Sequence, residues 1–160
     1  MSLYSRRAIL TLLAGAPLAA CGFQPVFAPG TPASGLRGTV LVDPPGSRAA
    51  FDLTRAIESR LGRPETVLYK LSVSQTVSTS SLAIQGSSAV TRYNLTGAAS
   101  YVLADAATQA VVSSGSVDAL TSYSTSASTS STTAARTAAT RRLSEALADQ
   151  IVNRLLVTVN

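Results

Sequence analysis

Past residue 35 the apolar positions of the chain follow two periods in turn. In "YKLSVSQTV" the apolar residues fall on alternate positions: Tyr69, Leu71, Val73 and, after Gln75, Val77 alternate with Lys70, Ser72, Ser74 and Thr76. That alternation predicts a strand over 65–80, with Val67 also on its greasy face and the other face wet. Over 90–105 the pattern returns, with Tyr93, Leu95, Ala99, Tyr101 and Leu103 set against Arg92, Asn94, Thr96 and Ser100. A third strand, 109–123, keeps a poorer period, and Gly115 reads as a bulge that switches its face. A shorter strand is expected over 36–43, with Thr39 to Val42 as its β-prone centre.

In two places the spacing lengthens to that of a helix. Ala50, Leu53, Ile57 and Leu61 fall on one face of a helix from Ser47 to Leu61, which Ser47 can cap and Gly62 and Pro64 end. Ala135, Ala139, Leu143, Leu147, Ile151 and Leu155 do the same over about 132–156. "PPGS", "AIQGSS" (83–88) and Asp105 to Thr108 read as turns. Residues 121–133 hold 11 Ser or Thr in 13 positions and read as a loop running into the last helix. A sheet wet on one side and two amphipathic helices have one economical arrangement, both helices on the greasy face. The fold class expected is α+β: a single domain over 36–160, ordered β-α-β-β-β-α, with two helices packed on one face of a four-stranded mixed sheet. The order of strands within the sheet is left open.

The first 35 residues follow neither period. "MSLYSRR" gives a positive start, "AILTLLAGAPLA" an apolar core, and "LAAC" a small-residue end, which together read as a signal peptide over 1–20. "LAAC" resembles the lipobox of bacterial lipoproteins. In that family the cysteine thiol, here of Cys21, receives a diacylglyceryl group, cleavage precedes it, and its new amine is acylated. Two or three chains on one residue hold a protein firmly at a bilayer where one holds it marginally. "GFQPVFAPGTPASG" (22–35) has three prolines and three glycines and reads, with Cys21, as a lipid-anchored tether over 21–35 without regular structure. Arg6-Arg7 resembles a twin-arginine signal or supplies ordinary leader charge, so the export route stays open. Gly22 stands where, in lipoprotein sorting, an aspartate would favour the inner membrane. That resemblance implies the outer membrane, on its periplasmic side.

Composition narrows the chemistry. Apolar residues make up 46% of the 160, too many for a disordered chain, and charged residues only 13%. The abundance of Ser and Thr suits sheets with hydroxyl-bearing outer faces. There is no histidine, so the commonest general base and metal ligand are missing. One cysteine allows neither an intramolecular disulfide nor a cysteine metal cluster. The eight carboxylates are scattered, and no glycine stretch matches a phosphate loop. No enzyme activity, metal or cofactor is expected; an anchored periplasmic hydrolase is the reading any robust turnover would revive. The formal charge is +5, falling to +3 without Arg6 and Arg7. Such an excess suits phosphate or carboxylate partners and is no nucleic-acid signature.

A lipobox cysteine, then "CGFQP" (21–25), then "RYNLTGAASYVLAD" (92–105) and "RRLSEALADQIVNRL" (141–155) in this element order resembles the LPS-assembly lipoprotein family (LptE, rare lipoprotein B). That resemblance implies a plug inside the lumen of a large outer-membrane β-barrel, the LPS translocon LptD, which the plug helps to assemble. It also implies contact with lipopolysaccharide, whose phosphates arginine can hold through two oxygens at once. Basic residues near the sheet tip and the last helix are the ones implicated. Here they are Arg92, Arg136, Arg141 and Arg142, although the tip "AIQGSS" itself carries no charge; each is also readable as plain solvated charge. The alternative function is a stand-alone lipoprotein that encloses a small apolar ligand.

Overall fold

The computed structural model describes residues 32–82, 92–125 and 128–159. The segment read as a signal peptide, Cys21, most of the segment read as a tether and residues 83–88, read as a turn, lie outside the described residues. Four strands, β1 (Val40–Val42), β2 (Tyr69–Leu82), β3 (Arg92–Asp105) and β4 (Val111–Ser124), form one mixed sheet in the order 1-2-3-4. β1 is parallel to β2, and β2, β3 and β4 form an antiparallel meander. α1 (Arg48–Leu61) joins β1 to β2, and α2 (Thr129–Thr158) follows β4.

Local chemistry sets the ends. Ser47 extends into the helix start and its Oγ accepts from the Ala50 N–H at 3.1 Å. Gly62 stops α1 with φ of 78°, a value that suits a residue without a side chain, and its N–H reaches Glu58 O. Ser128 opens α2, accepting from the Ser131 N–H. The Asp105 carboxylate accepts from the Ala107 and Thr108 N–H groups and the Thr108 hydroxyl, closing the β3–β4 turn. Those three bonds hold its pKa below the ordinary carboxylate value, led by the Thr108 N–H.

Both helices lie on one face of the sheet and run away from its tip. Leu53, Ile57 and Leu61 of α1 and Leu143, Leu147, Ile151 and Leu155 of α2 are buried against Leu71, Leu95, Leu103 and Val117. Each such side chain contributes roughly 1.5–3 kcal/mol by leaving water. The other sheet face stays open and mostly hydroxyl-lined, with Ser72, Ser74 and Thr76 beside Thr96 and Ser100, then Ser114 and Ser116.

Five details depart from the sequence reading. The strand expected over 36–43 spans only Val40–Val42, because Leu36–Thr39 turn: Gly38 has φ of 71° and its N–H binds Leu61 O at 2.8 Å. Val67 is exposed, since β2 starts only at Tyr69, where β1 and β3 both pair with it. Residues 32–35 of the tether form a 3-10 turn. Gly115 is no bulge: it pairs in register with Tyr101 and faces inward, where a β-carbon would stand 3.2 Å from the Tyr101 ring. The register shift lies instead between Leu103 and Ala104, with Val112 as the extra residue opposite. Finally, the Ser/Thr tract divides, 121–124 ending β4 and 129–133 opening α2. Helix is tolerated there because hydroxyls such as Thr133 bond back to the carbonyl four residues earlier.

Candidate functional site

α1 and α2 run side by side with their N-termini at the same end, and their first turns splay into a cleft of about 940 Å³. Its walls include Arg48, Asp52 and Arg55 of α1 and Thr133, Thr137 and Arg141 of α2. The α1 residues stand at i, i+4 and i+7, so one helix face carries all three. A smaller cavity of about 310 Å³ continues toward β2, bringing Arg136 beside Arg48 and Asp52. Arg48, Arg55 and Arg141 therefore line the cleft, and Arg136 lines the adjoining cavity with Arg48.

Toward the sheet base the groove closes on an ion pair. Arg60 Nε donates to Asp149 Oδ1 at 2.5 Å, and its terminal nitrogens donate to the carbonyls of Ala56 and Glu145. Arg60 thereby ties α1 to α2 and is committed to structure. Arg141 stands 3.8 Å from Glu145, a loose pair one turn along the same helix. Among the described residues Arg48, Arg55 and Arg136 make no ion pair. With the positive ends of two helix dipoles at the same place, the cleft is electrostatically suited to a multivalent anion.

The four arginines singled out from the sequence thus separate. Arg141 lines the cleft and Arg136 the smaller cavity beside it. Arg142 leaves it and donates to Ser122 O at 3.3 Å, on the rim of β4. Arg92 opens β3 on the hydroxyl-lined face, across the sheet from the cleft. Arg48 and Arg55 were missed as site residues; the spacing Arg48-Asp52-Arg55 was the available signal. Among the described residues no three His, Cys, Asp or Glu side chains gather as a metal site, and no helix is long and apolar enough to cross a membrane.

Residues 38–155 match the family model described as LptE, lipopolysaccharide-assembly. The chain belongs to the LptE family. Solved structures agree in fold. A Caulobacter crescentus CB15 chain assigned as a lipoprotein superposes with a TM-score of 0.68 at 19% identity, covering 80% of this chain and 95% of that one. Rare lipoprotein B of Shewanella oneidensis gives a TM-score of 0.58 at 14% identity, covering 75% and 93%. A minor lipoprotein of Acinetobacter baumannii gives 0.54 at 14%, covering 74% and 89%. No curated protein sequence matches the chain. The LptE resemblance read from the order of elements holds, and with it the α+β fold.

Proposed function

We propose that this LptE-family chain is a non-catalytic lipoprotein, held at the periplasmic side of the outer membrane by acyl chains on Cys21. In this reading residues 1–20 are removed, 21–35 tether the domain, and the domain plugs the LPS-translocon barrel LptD and helps it assemble. The observation that carries the reading is the family match across 38–155. The wet sheet face supports it: a wall of serine and threonine hydroxyls with few charges suits the polar lumen of a large barrel. Most of the space between sheet and helices is filled by leucines, and the cavity of about 310 Å³ that remains there is lined by two arginines and an aspartate, which weighs against an enclosed apolar ligand.

Lipopolysaccharide carries phosphates, and the cleft between α1 and α2 with its adjoining cavity supplies arginines: Arg48, Arg55 and Arg136 make no ion pair among the described residues, and Arg141 pairs only loosely with Glu145. Arg136 and Arg141, with Arg48 and Arg55, are the residues proposed to take them; Arg92 and Arg142 would act from separate surfaces. Depleting the protein in cells tests the assignment. Misassembled barrel and loss of lipopolysaccharide from the cell surface are the expected results, and normal levels of both would refute it.

A further inference from the structure

β1 ends at Val42, and Asp43-Pro44-Pro45 follows. Proline has no N–H to offer a ladder, so this dipeptide stops the edge strand after three residues. β1 consequently pairs only with Tyr69–Leu71. From Ser72 to Leu82, β2 has β3 on one side and no described strand on the other. Leu71 O accepts from the Asp43 N–H on the β1 side at 2.9 Å. Alternation along the strand therefore aims the N–H and C=O groups of Val73, Gln75, Val77, Thr79 and Ser81 at the open side.

The opposite edge of the sheet is guarded. Arg142, Gln150 and Arg154 of α2 donate to the carbonyls of Ser122, Asp118 and Ser116 at 3.3, 2.8 and 2.6 Å. Nothing equivalent covers the β2 edge among the described residues. Residues 71–82 also contain no charge and no proline, the usual residues that keep an edge from pairing.

We propose that this edge is a strand-pairing surface and that its occupant is a second copy of β2, antiparallel about a two-fold axis at Val77. In that register Val73 faces Ser81 of the copy, Gln75 faces Thr79, and Val77 faces its own mate. Every outward N–H and C=O of the five residues then finds a partner. Along the strands no charge meets a like charge. A closed barrel has no free strand edge to offer, which makes its wall a poor occupant and makes the dimer a state of the protein apart from the barrel. The proposal does not depend on the plug reading.

The test uses the full chain, purified in mild detergent without a barrel. Thr76 and Ser78 of opposite copies form a non-hydrogen-bonded pair in this register, with Cα atoms about 4.5 Å apart and within disulfide reach. A mixture of T76C and S78C chains is expected to cross-link under mild oxidation far more than either alone, with unsubstituted protein as the control for Cys21. Thr79→Pro removes only an N–H that points away from β3. It is expected to abolish the cross-link and convert dimer to monomer in light scattering, with an unchanged circular dichroism spectrum. Thr79→Lys, which keeps the backbone and adds charge, should do the same if the proline variant fails to fold. A monomer at every concentration, equal cross-linking in the single variants and the mixture, or a dimer indifferent to Thr79→Lys would overturn the proposal.

Discussion

Gly97 of β3 lies so close to Leu143 of α2 that a β-carbon there would stand 2.9 Å from Leu143 Cδ2, and 3.1 Å from Leu147 Cδ1. Both leucines are buried, so neither can swing into solvent. The closeness lets α2 settle onto the middle of the sheet, and it places a packing demand on a residue that reads locally as a weak point in a strand. Gly97→Val should destabilise the domain by about 1–3 kcal/mol through overpacking. Leu143→Ala alone should cost about 2–5 kcal/mol. In chemical denaturation the double variant should lose clearly less than the two changes summed; simple additivity would show that Gly97 and Leu143 do not meet.

Asp105 gives a pH prediction with a definite sign. Its folded pKa is lowered by the Thr108 and Ala107 donors, so its contribution is complete above the unfolded value of about 3.9 and fades as pH falls through the lower folded value. The amide signals of Ala107 and Thr108 should therefore titrate with a midpoint below that of a free aspartate. Asp105→Asn should remove the transition. A midpoint at or above the free value would contradict the turn's geometry.

The cleft makes a prediction about charge. With the full chain in detergent, exchanging Arg48, Arg136 and Arg141 together for glutamine should weaken binding of a lipid bearing phosphates at least several-fold, and should flatten its salt dependence. Arg60→Gln should instead lower stability, because it unties Asp149 and two carbonyls. Equal lipid binding by the triple variant and the unsubstituted chain would remove the cleft from the account.

Cys21→Ser should leave the fold intact, since the described domain begins beyond it, and should loosen membrane attachment. Washing membranes with salt and then carbonate checks this in a strain lacking the barrel, where no partner can retain the variant. Retention there would show that acyl chains on Cys21 are not the anchor.

Much of this fold was readable before any coordinates. Leu53, Ile57 and Leu61, and Leu143 through Leu155, declare their helix faces because one side of each helix is buried. β3 is equally plain, because its alternation runs through Leu95, Ala99, Tyr101 and Leu103, with only Gly97 between them lacking a side chain. Gln75 is the exception in β2. It sits at an inward position of the greasy face and is kept there by a hydrogen bond from its Nε2 to the buried Ser144 Oγ at 3.2 Å, a partner 69 residues away. Gly115 misled for a similar reason: the Tyr101 ring that needs its missing side chain belongs to another strand. Helix over Thr129–Ser131 escaped notice because Ser and Thr have weak helix propensity, and capping by Ser128 overrides it. The candidate site was half visible. Arg136 and Arg141 stand out on α2, but which arginines meet depends on two helices lying parallel, and no local pattern announces that.

We propose above all that this domain works by occupying a barrel. Purifying the acylated chain from outer membranes in mild detergent and identifying what accompanies it tests that most directly. One large β-barrel in equal amount is the result expected. A protein that elutes without a barrel, from membranes in which the barrel is present, would contradict it.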